Sequence, residues 1–329
     1  MARIAVLGSN SFAGATFVDT ALSGGHELFG VNRSAEASQI FLPYKANPRA
    51  CAYTFRQLDL NRNMELVCSA LDEFAPSFIV DFAGQGMVAE SWKWPEQWYE
   101  TNIVAKVRLH EFLRTRPWLV KYVRVSTPEV YGSTAELIRE DHPYAPSTPY
   151  AVSHAATDLS LAAFHRNYGF PAVLTRFANF FGPGQQLYRI VPRTILYALS
   201  GRRLPLHGGG ASVRAFVHAR DVARGLLAVC DSGNPGETYH FSPAEFRSIR
   251  EVVQTVYAEL GVDLERAVER APDRPGKDQA YLMDATKARE QLGWQPAVPF
   301  VQGIQETIRW VKDNLEEMKR LPWDYVHKP

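Results

Sequence analysis

The chain has no run of about 18 consecutive apolar residues, so no membrane span is expected. Cysteine is scarce. Its three copies, Cys51, Cys68 and Cys230, are odd in number and none stands in a Cys-x-x-Cys pair. They read as free or buried thiols in a reducing compartment rather than as a disulfide framework. Neither sign of charge prevails: 36 Lys and Arg against 35 Asp and Glu leave a net charge of +1. That excludes an electrostatic footprint for nucleic acid or an anionic membrane, and the basic residues that matter should be local anion binders. No internal repeat and no low-complexity segment is found, and no metal site is expected. The first residues lack the apolar core and small-residue cleavage site of a signal peptide and run straight into a glycine turn. A cytoplasmic location is the default expectation.

What is present is ordinary for a globular protein: 46% hydrophobic and 22% charged residues over a length of 329, enough for one large domain or two lobes. Arg3 to Leu7 reads as a strand, Gly8 to Gly14 as a glycine turn, and Ala15 to Ser23 as a helix. Strand, turn and helix in that order are the context a dinucleotide fingerprint requires. Gly8 permits the tight turn and Gly14 lets helix and strand pack closely, with Asn10, Ser11 and Phe12 between them. A pyrophosphate would sit over the helix N-terminus. A second strand, Leu28 to Val31, ends in Asn32 and Arg33. An Arg at that point accommodates a ribose 2′-phosphate, so NADP is favoured, with NAD the alternative. Leu58 to Leu60 is expected to close a third strand, with Asp59 at the adenine. Phe78 to Phe82 is a fourth, and the small residues around Ala83 and Gln85 let the backbone approach the cofactor. Asn102 falls within a helix expected over Thr101 to Leu113 and should reach a polar partner inside. The three Trp between Glu90 and Trp98 read as packing.

The stretch from Val123 to Ala155 reads as the chemical centre. An apolar strand ends in Ser126-Thr127-Pro128-Glu129, and one polar loop later Tyr150-Ala151-Val152-Ser153-His154 opens a helix. A hydroxyl and a carboxylate at a strand's C-terminal end, followed by a Tyr, form an active-site layout for an open α/β sheet.

These segments resemble the extended short-chain dehydrogenase/reductase family. Its elements stand here as Gly8-x-x-Ser11-x-x-Gly14, Asp59-Leu60, Ser126-Thr127-x-Glu129-Val130-Tyr131-Gly132 and Tyr150-x-x-x-His154. Arg176-x-x-Asn179-x-x-Gly182-Pro183 and Arg214-x-Phe216-x-His218-x-x-Asp221 follow. The late Arg274-Pro275-Gly276-Lys277-Asp278-x-x-Tyr281 looks like nucleotide-sugar 4,6-dehydratases. The boxes at Gly86 to Trp92, Ser126 to Gly132 and Gly182 to Arg189 are most similar to the GDP-N-acetylglucosamine 4,6-dehydratase type of legionaminic acid pathways. The fold implied is α/β: a Rossmann-type doubly wound parallel sheet with a smaller C-terminal substrate-binding α/β lobe. Residues 1–178 plus 214–242 are expected to form the dinucleotide-binding domain, and 179–213 plus 243–329 the nucleotide-sugar lobe.

The resemblance implies an internal redox dehydration. Tyr150 takes the proton from the sugar 4-hydroxyl, Thr127 hydrogen-bonds the same oxygen, and Glu129 removes the C5 proton as water leaves from C6. Two departures stand out. His154 occupies the place of the family's Lys, which contacts the nicotinamide ribose and favours the ionised Tyr. Pro128 replaces the Asp that protonates the leaving group in dTDP-glucose dehydratases, so Glu129 is expected to act as base and then acid, as the GDP-mannose dehydratases suggest. The resemblance places Ser91, Asn179, Arg189, Val191, Arg214 and Arg274 against the substrate, with guanidinium groups for its diphosphate. It also implies a homodimer or dimer of dimers, through helices starting near Asn102 and Tyr150. A 4-epimerase or 4-keto-reductase is the alternative, and a non-catalytic nucleotide-sugar or dinucleotide binder the third reading.

Overall fold

The computed structural model describes residues 1–134, 136–272 and 280–328. Seven strands form one all-parallel sheet: β1 Arg3–Leu7, β2 Glu27–Asn32, β3 Tyr53–Gln57, β4 Phe78–Asp81, β5 Lys121–Val125, β6 Ala172–Phe177 and β7 Thr238–Phe241. Their spatial order is β7-β6-β5-β4-β1-β2-β3. The central strands are apolar on both faces, Ile4 to Leu7 and Ile79 to Val80 being fully buried. That pattern is stable only when helices cover both sides. Helices α1 Phe12–Ser23 and Ala219–Ser232 pack together over one face. Met64–Phe74, Ala105–Leu113 and Pro149–Tyr168 cover the other.

Helix limits follow local chemistry. Ser11 caps α1 by accepting from the Gly14 N–H at 3.1 Å. Thr148 caps Pro149–Tyr168 by accepting from Ala151 N–H at 3.1 Å, Pro149 opens it, and Gly169 ends it in the left-handed region at φ 65°. The helix expected from Thr101 begins instead with a wide turn, Glu100–Val104, before Ala105–Leu113. The third strand ends at Gln57, short of Leu58 to Leu60.

A third core lies beyond the sheet's edge, where Ile190–Leu199, Ile249–Leu260 and Phe300–Asp313 bury Val191, Ile195, Val252, Val256, Ile304 and Ile308 together. The strand Val213–His218, whose residues from Arg214 on are expected in the nucleotide-binding domain, pairs outside the seven-stranded sheet. It runs antiparallel to Phe246–Ser248 and parallel to Asn179–Phe181, so it joins the sheet region to this lobe. The three cysteines are free thiols. Among the described residues no helix is long and apolar enough to cross a membrane.

Candidate active site

The strand order reverses between β1 and β4, which opens a crevice at their carboxyl ends. Gly8 follows β1 there with φ +78°, and a Cβ at Gly8 would lie 2.8 Å from the Ala83 nitrogen after β4. A Cβ at Gly14 would lie 2.3 Å from the Gly8 carbonyl oxygen. Neither position admits a side chain, so an anion can approach the backbone at the start of α1 closely. The residues present fit a dinucleotide. A groove of about 570 Å³ runs from Ser11, Phe12, Ala83 and Gln85 to Thr127, Glu129, Tyr150 and His154.

Thr127 ends the β5 connection and caps a single tight turn, Pro128–Tyr131, by accepting from Glu129 N–H at 3.3 Å. That turn points the half-buried Glu129 carboxylate along the groove. Tyr150 stands opposite, in the first turn of its helix, beside Thr127. Burial and the Glu129 carboxylate push the Tyr150 hydroxyl above its ordinary range, and the Thr127 hydroxyl opposes them. His154, one turn on, has its ring 4.7 Å from that of Tyr150. Burial, with Arg124 and Lys106 nearby, holds its pKa well below the ordinary value.

Two buried polar networks fix this geometry. Ser126 donates to Asp158 at 2.7 Å, and Asp158 pairs with Arg176 at 2.8 Å, which ties β5 and β6 to the Tyr150 helix. Asn102, fully buried, accepts from Gln85 N–H at 2.7 Å and donates to Gln85 O at 3.1 Å and Ser153 Oγ at 2.9 Å. The polar partner expected of Asn102 is thus the loop after β4, held against the same helix.

On the substrate side, Asn179, Arg189 and Val191 line the groove. Tyr281 donates to Asn179 Oδ1 at 2.9 Å, and Arg214 lies over the Tyr281 ring at 4.3 Å. Arg214, Arg189 and Arg193 continue into an adjoining cavity of about 360 Å³ with Leu204 and His207. Three planar cations lining one cavity suit a diphosphate.

Other expected residues are not among those lining this groove. Ser91 is fully buried and donates to Val88 O at 2.7 Å, so its hydroxyl closes its own helical turn and does not face the groove. Asp59 and Leu60 follow β3. The Asp59 carboxylate accepts from Asn61 N–H at 2.8 Å, closing a turn, and Leu60 packs in the core. Asn10 accepts from Tyr44 O–H at 3.1 Å, and Asn32 donates to Ser34 O at 3.1 Å. Arg274 lies outside the described residues.

Three features escaped the sequence reading. Tyr281 and Tyr188 line the groove; Tyr281 was visible within its motif. Arg124 reaches the groove from inside β5, its signal being a charge in the middle of an apolar strand. The third is the C-terminal strap. The Lys328 carbonyl accepts from Arg33 Nη2 at 3.0 Å and from Gln85 Nε2 at 2.7 Å. His327 stacks on Trp94 and Trp98 at 4.8 and 5.6 Å. Both side chains expected at the cofactor are therefore bound by residues far along the chain.

The GDP-mannose 4,6 dehydratase family model matches residues 6–307. A dTDP-glucose 4,6-dehydratase of Xanthomonas campestris pv. campestris is 33% identical over 332 residues, 95% of this chain and 94% of the relative. Among solved structures, a dTDP-glucose 4,6-dehydratase from Streptomyces venezuelae with NAD bound superposes with a TM-score of 0.87 at 32% identity, covering 96% of this chain and 98% of that one. A Thermotoga maritima UDP-glucose 4-epimerase gives 0.87 at 25% identity, over 95% and 99%.

Proposed function

The chain belongs to the GDP-mannose 4,6-dehydratase family and is a nucleotide-sugar 4,6-dehydratase, and on that premise we propose that Thr127, Glu129 and Tyr150 dehydrate a GDP-linked sugar with NADP as cofactor. One observation carries the assignment of roles: the three side chains line one groove, with Tyr150 beside Thr127 and under the field of Glu129. Bound NADP supplies the acceptor for the hydride leaving sugar C4 and its donor back to C6. Tyr150 receives the proton of the 4-hydroxyl, and Thr127 donates to the same oxygen and steadies its charge. The resulting ketone makes the C5 proton acidic. Glu129 takes that proton and returns it to the hydroxyl leaving C6, since Pro128 has no proton to give, and once hydride is back at C6 a proton drawn from water adds at C5 while Tyr150 releases the one it took. Asn179, Arg189 and Arg214 hold the diphosphate.

A GDP-linked substrate such as GDP-N-acetylglucosamine is favoured by Pro128, because a single Glu must serve both proton transfers. The names of the curated relatives favour dTDP-glucose as the second reading. Incubation with GDP-N-acetylglucosamine, GDP-mannose and dTDP-glucose, followed by mass spectrometry, tests both. Loss of one water from a GDP-sugar is expected, and its loss from dTDP-glucose alone overturns the nucleotide. An isomer of unchanged mass marks an epimerase, which needs no base at C5. Arg33 at the end of β2 supports NADP over NAD; Arg33→Asp should reverse the preference, and an unchanged ratio of affinities contradicts this role.

We read the molecule as a cytoplasmic homodimer. Val104, Val152 and Leu159 are exposed apolar residues on the helices expected to pair. Light scattering at twice the chain mass is the expected result, and a monomer mass removes the proposal.

A further inference from the structure

Tyr150, the assigned base, faces the cation Arg189, whose effect is smaller than those of burial and of Glu129. Burial and Glu129 both disfavour its phenolate, and a phenol that stays protonated takes no proton from a sugar. The resemblance places a Lys one turn away for this purpose, and the chain has His154. The groups facing His154 are Arg124 on β5, Lys106 on the helix Ala105–Leu113, Asp81 on β4, Arg176 on β6 and Tyr150 on its own helix. Three of these are cations and one is a carboxylate, so protonating the imidazole is opposed.

The missing charge lies one layer below. Arg124 is buried in the middle of β5. Its Nη1 donates to Asp81 at 3.1 Å and to Ala83 O at 3.2 Å, and its Nη2 meets His154 Nδ1 at 3.4 Å. Asp81 is also held by Lys106 Nζ, 2.7 Å from each oxygen, and by the Tyr122 hydroxyl. One carboxylate thus faces two cations, and the cluster carries a surplus positive charge. Lys106 is pushed down to about 8, whereas a guanidinium does not lose its proton near neutral pH. A guanidinium has donors only, so the Arg124 contact makes Nδ1 an acceptor and leaves the ring proton on Nε2. That ring lies on the groove wall beside Tyr150.

We propose that Arg124 replaces the usual ammonium: it holds His154 as a neutral Nε2–H donor facing the groove and provides the permanent positive charge that favours the Tyr150 phenolate. Arg124 is a positioning residue, acting through His154 and through its field. The two devices that one Lys combines, a donor and a charge, are here divided between two side chains.

The inference rests on Tyr150 being the base, and two measurements keep the questions apart. Histidine ring ¹⁵N spectra of the full chain with NADP⁺ bound, assigned with His154→Gln, read the pair without any turnover. A neutral Nε2–H tautomer between about pH 6 and pH 8 is expected; an imidazolium or an Nδ1–H tautomer overturns the proposal. The second measurement is the pH dependence of single-turnover reduction of NADP⁺ with whichever sugar of the panel is converted. The groups facing Tyr150 are Thr127, Glu129, Tyr281 and Arg189 besides this cluster. Arg124→Met should raise the acid limb by about one pH unit or more, a tenfold loss of phenolate per unit. Lys in place of either residue, as Arg124→Lys or as Arg124→Met with His154→Lys, should bring the limb back. If Arg124→Met does not fold, the two Lys variants carry the comparison. An unmoved limb, or a double variant that folds and stays shifted, contradicts the role of Arg124. If instead Tyr150→Phe reduces NADP⁺ at the parent rate, the assignment of the base fails, whatever the spectra say of Arg124 and His154.

Discussion

Glu129 is the residue on which dehydration, as opposed to simple oxidation, depends. It lies beyond Thr127 on a one-turn helix whose Pro128 neighbour carries no proton. Glu129→Gln keeps the size and the hydrogen-bonding capacity but removes both the base and the acid. Dehydration should fall about 10²- to 10⁴-fold, with dinucleotide affinity unchanged by fluorescence titration. Retention of the parent rate, read by mass loss, would assign the elimination to another group. At this scale the sequence was partly legible. Thr127, Glu129 and Tyr150 were readable because they belong to short motifs at the ends of a strand and a helix. Ser91 was not, because whether a hydroxyl faces a groove or its own helical turn depends on burial. Arg124, Asp81 and Lys106 look like three isolated charges along the chain, and only the adjacency of β4, β5 and the helix Ala105–Leu113 between them joins them.

Among elements, the strap Tyr325–Lys328 has the most direct consequence. It engages Arg33 and Gln85 at one carbonyl and clamps His327 between residues of the Trp94–Trp98 segment. A dinucleotide that uses Arg33 and Gln85 must take these donors from Lys328. Removing residues 322–329 should therefore tighten NADP⁺ binding several-fold by isothermal titration, and cofactor binding to the full chain should change the tryptophan fluorescence as His327 shifts. Weaker binding after truncation would make the strap a wall of the site instead. No local pattern announces this contact: Arg33 and Lys328 are 295 positions apart. By contrast, the helices and strands around the glycine turn were legible, because caps and periodicity are local. The third strand's early end and the wide turn at Glu100–Val104 were not. Both answer to packing: Leu60 is drawn into the core after the strand ends, and the wide turn carries Asn102 to Gln85.

For the whole molecule, buried histidines set a pH limit. His110 and His240 are held down to about 3 and His218 to about 4, each chiefly by burial. His154 is held well below its ordinary value. Each binds a proton in the unfolded chain below about pH 6.5 but not in the folded one. Stability from these groups is fully present above that pH and is lost as pH falls toward the folded values. The loss is at most about 1.4 kcal/mol per pH unit for each group. Urea midpoints should decline steeply between about pH 6.5 and pH 4, and replacing His110, which has no hydrogen-bond partner for either ring nitrogen among the described residues, by Phe should reduce the slope. A flat profile over that window contradicts the account. The doubly wound sheet itself was what the family resemblance implied, whereas the joining role of Val213–His218 depends on long-range pairing that no segment declares.

The central claim is that one groove oxidises a sugar carbon, eliminates at its neighbour and returns the same hydride. A nucleotide sugar of the converted class carrying deuterium at C4, turned over in ordinary water, tests this most directly. The account predicts a 4-keto-6-deoxy product, one water lighter, with the deuterium at C6 and none lost to solvent. A product that keeps its 6-hydroxyl, or deuterium found at C4 or missing altogether, would contradict it.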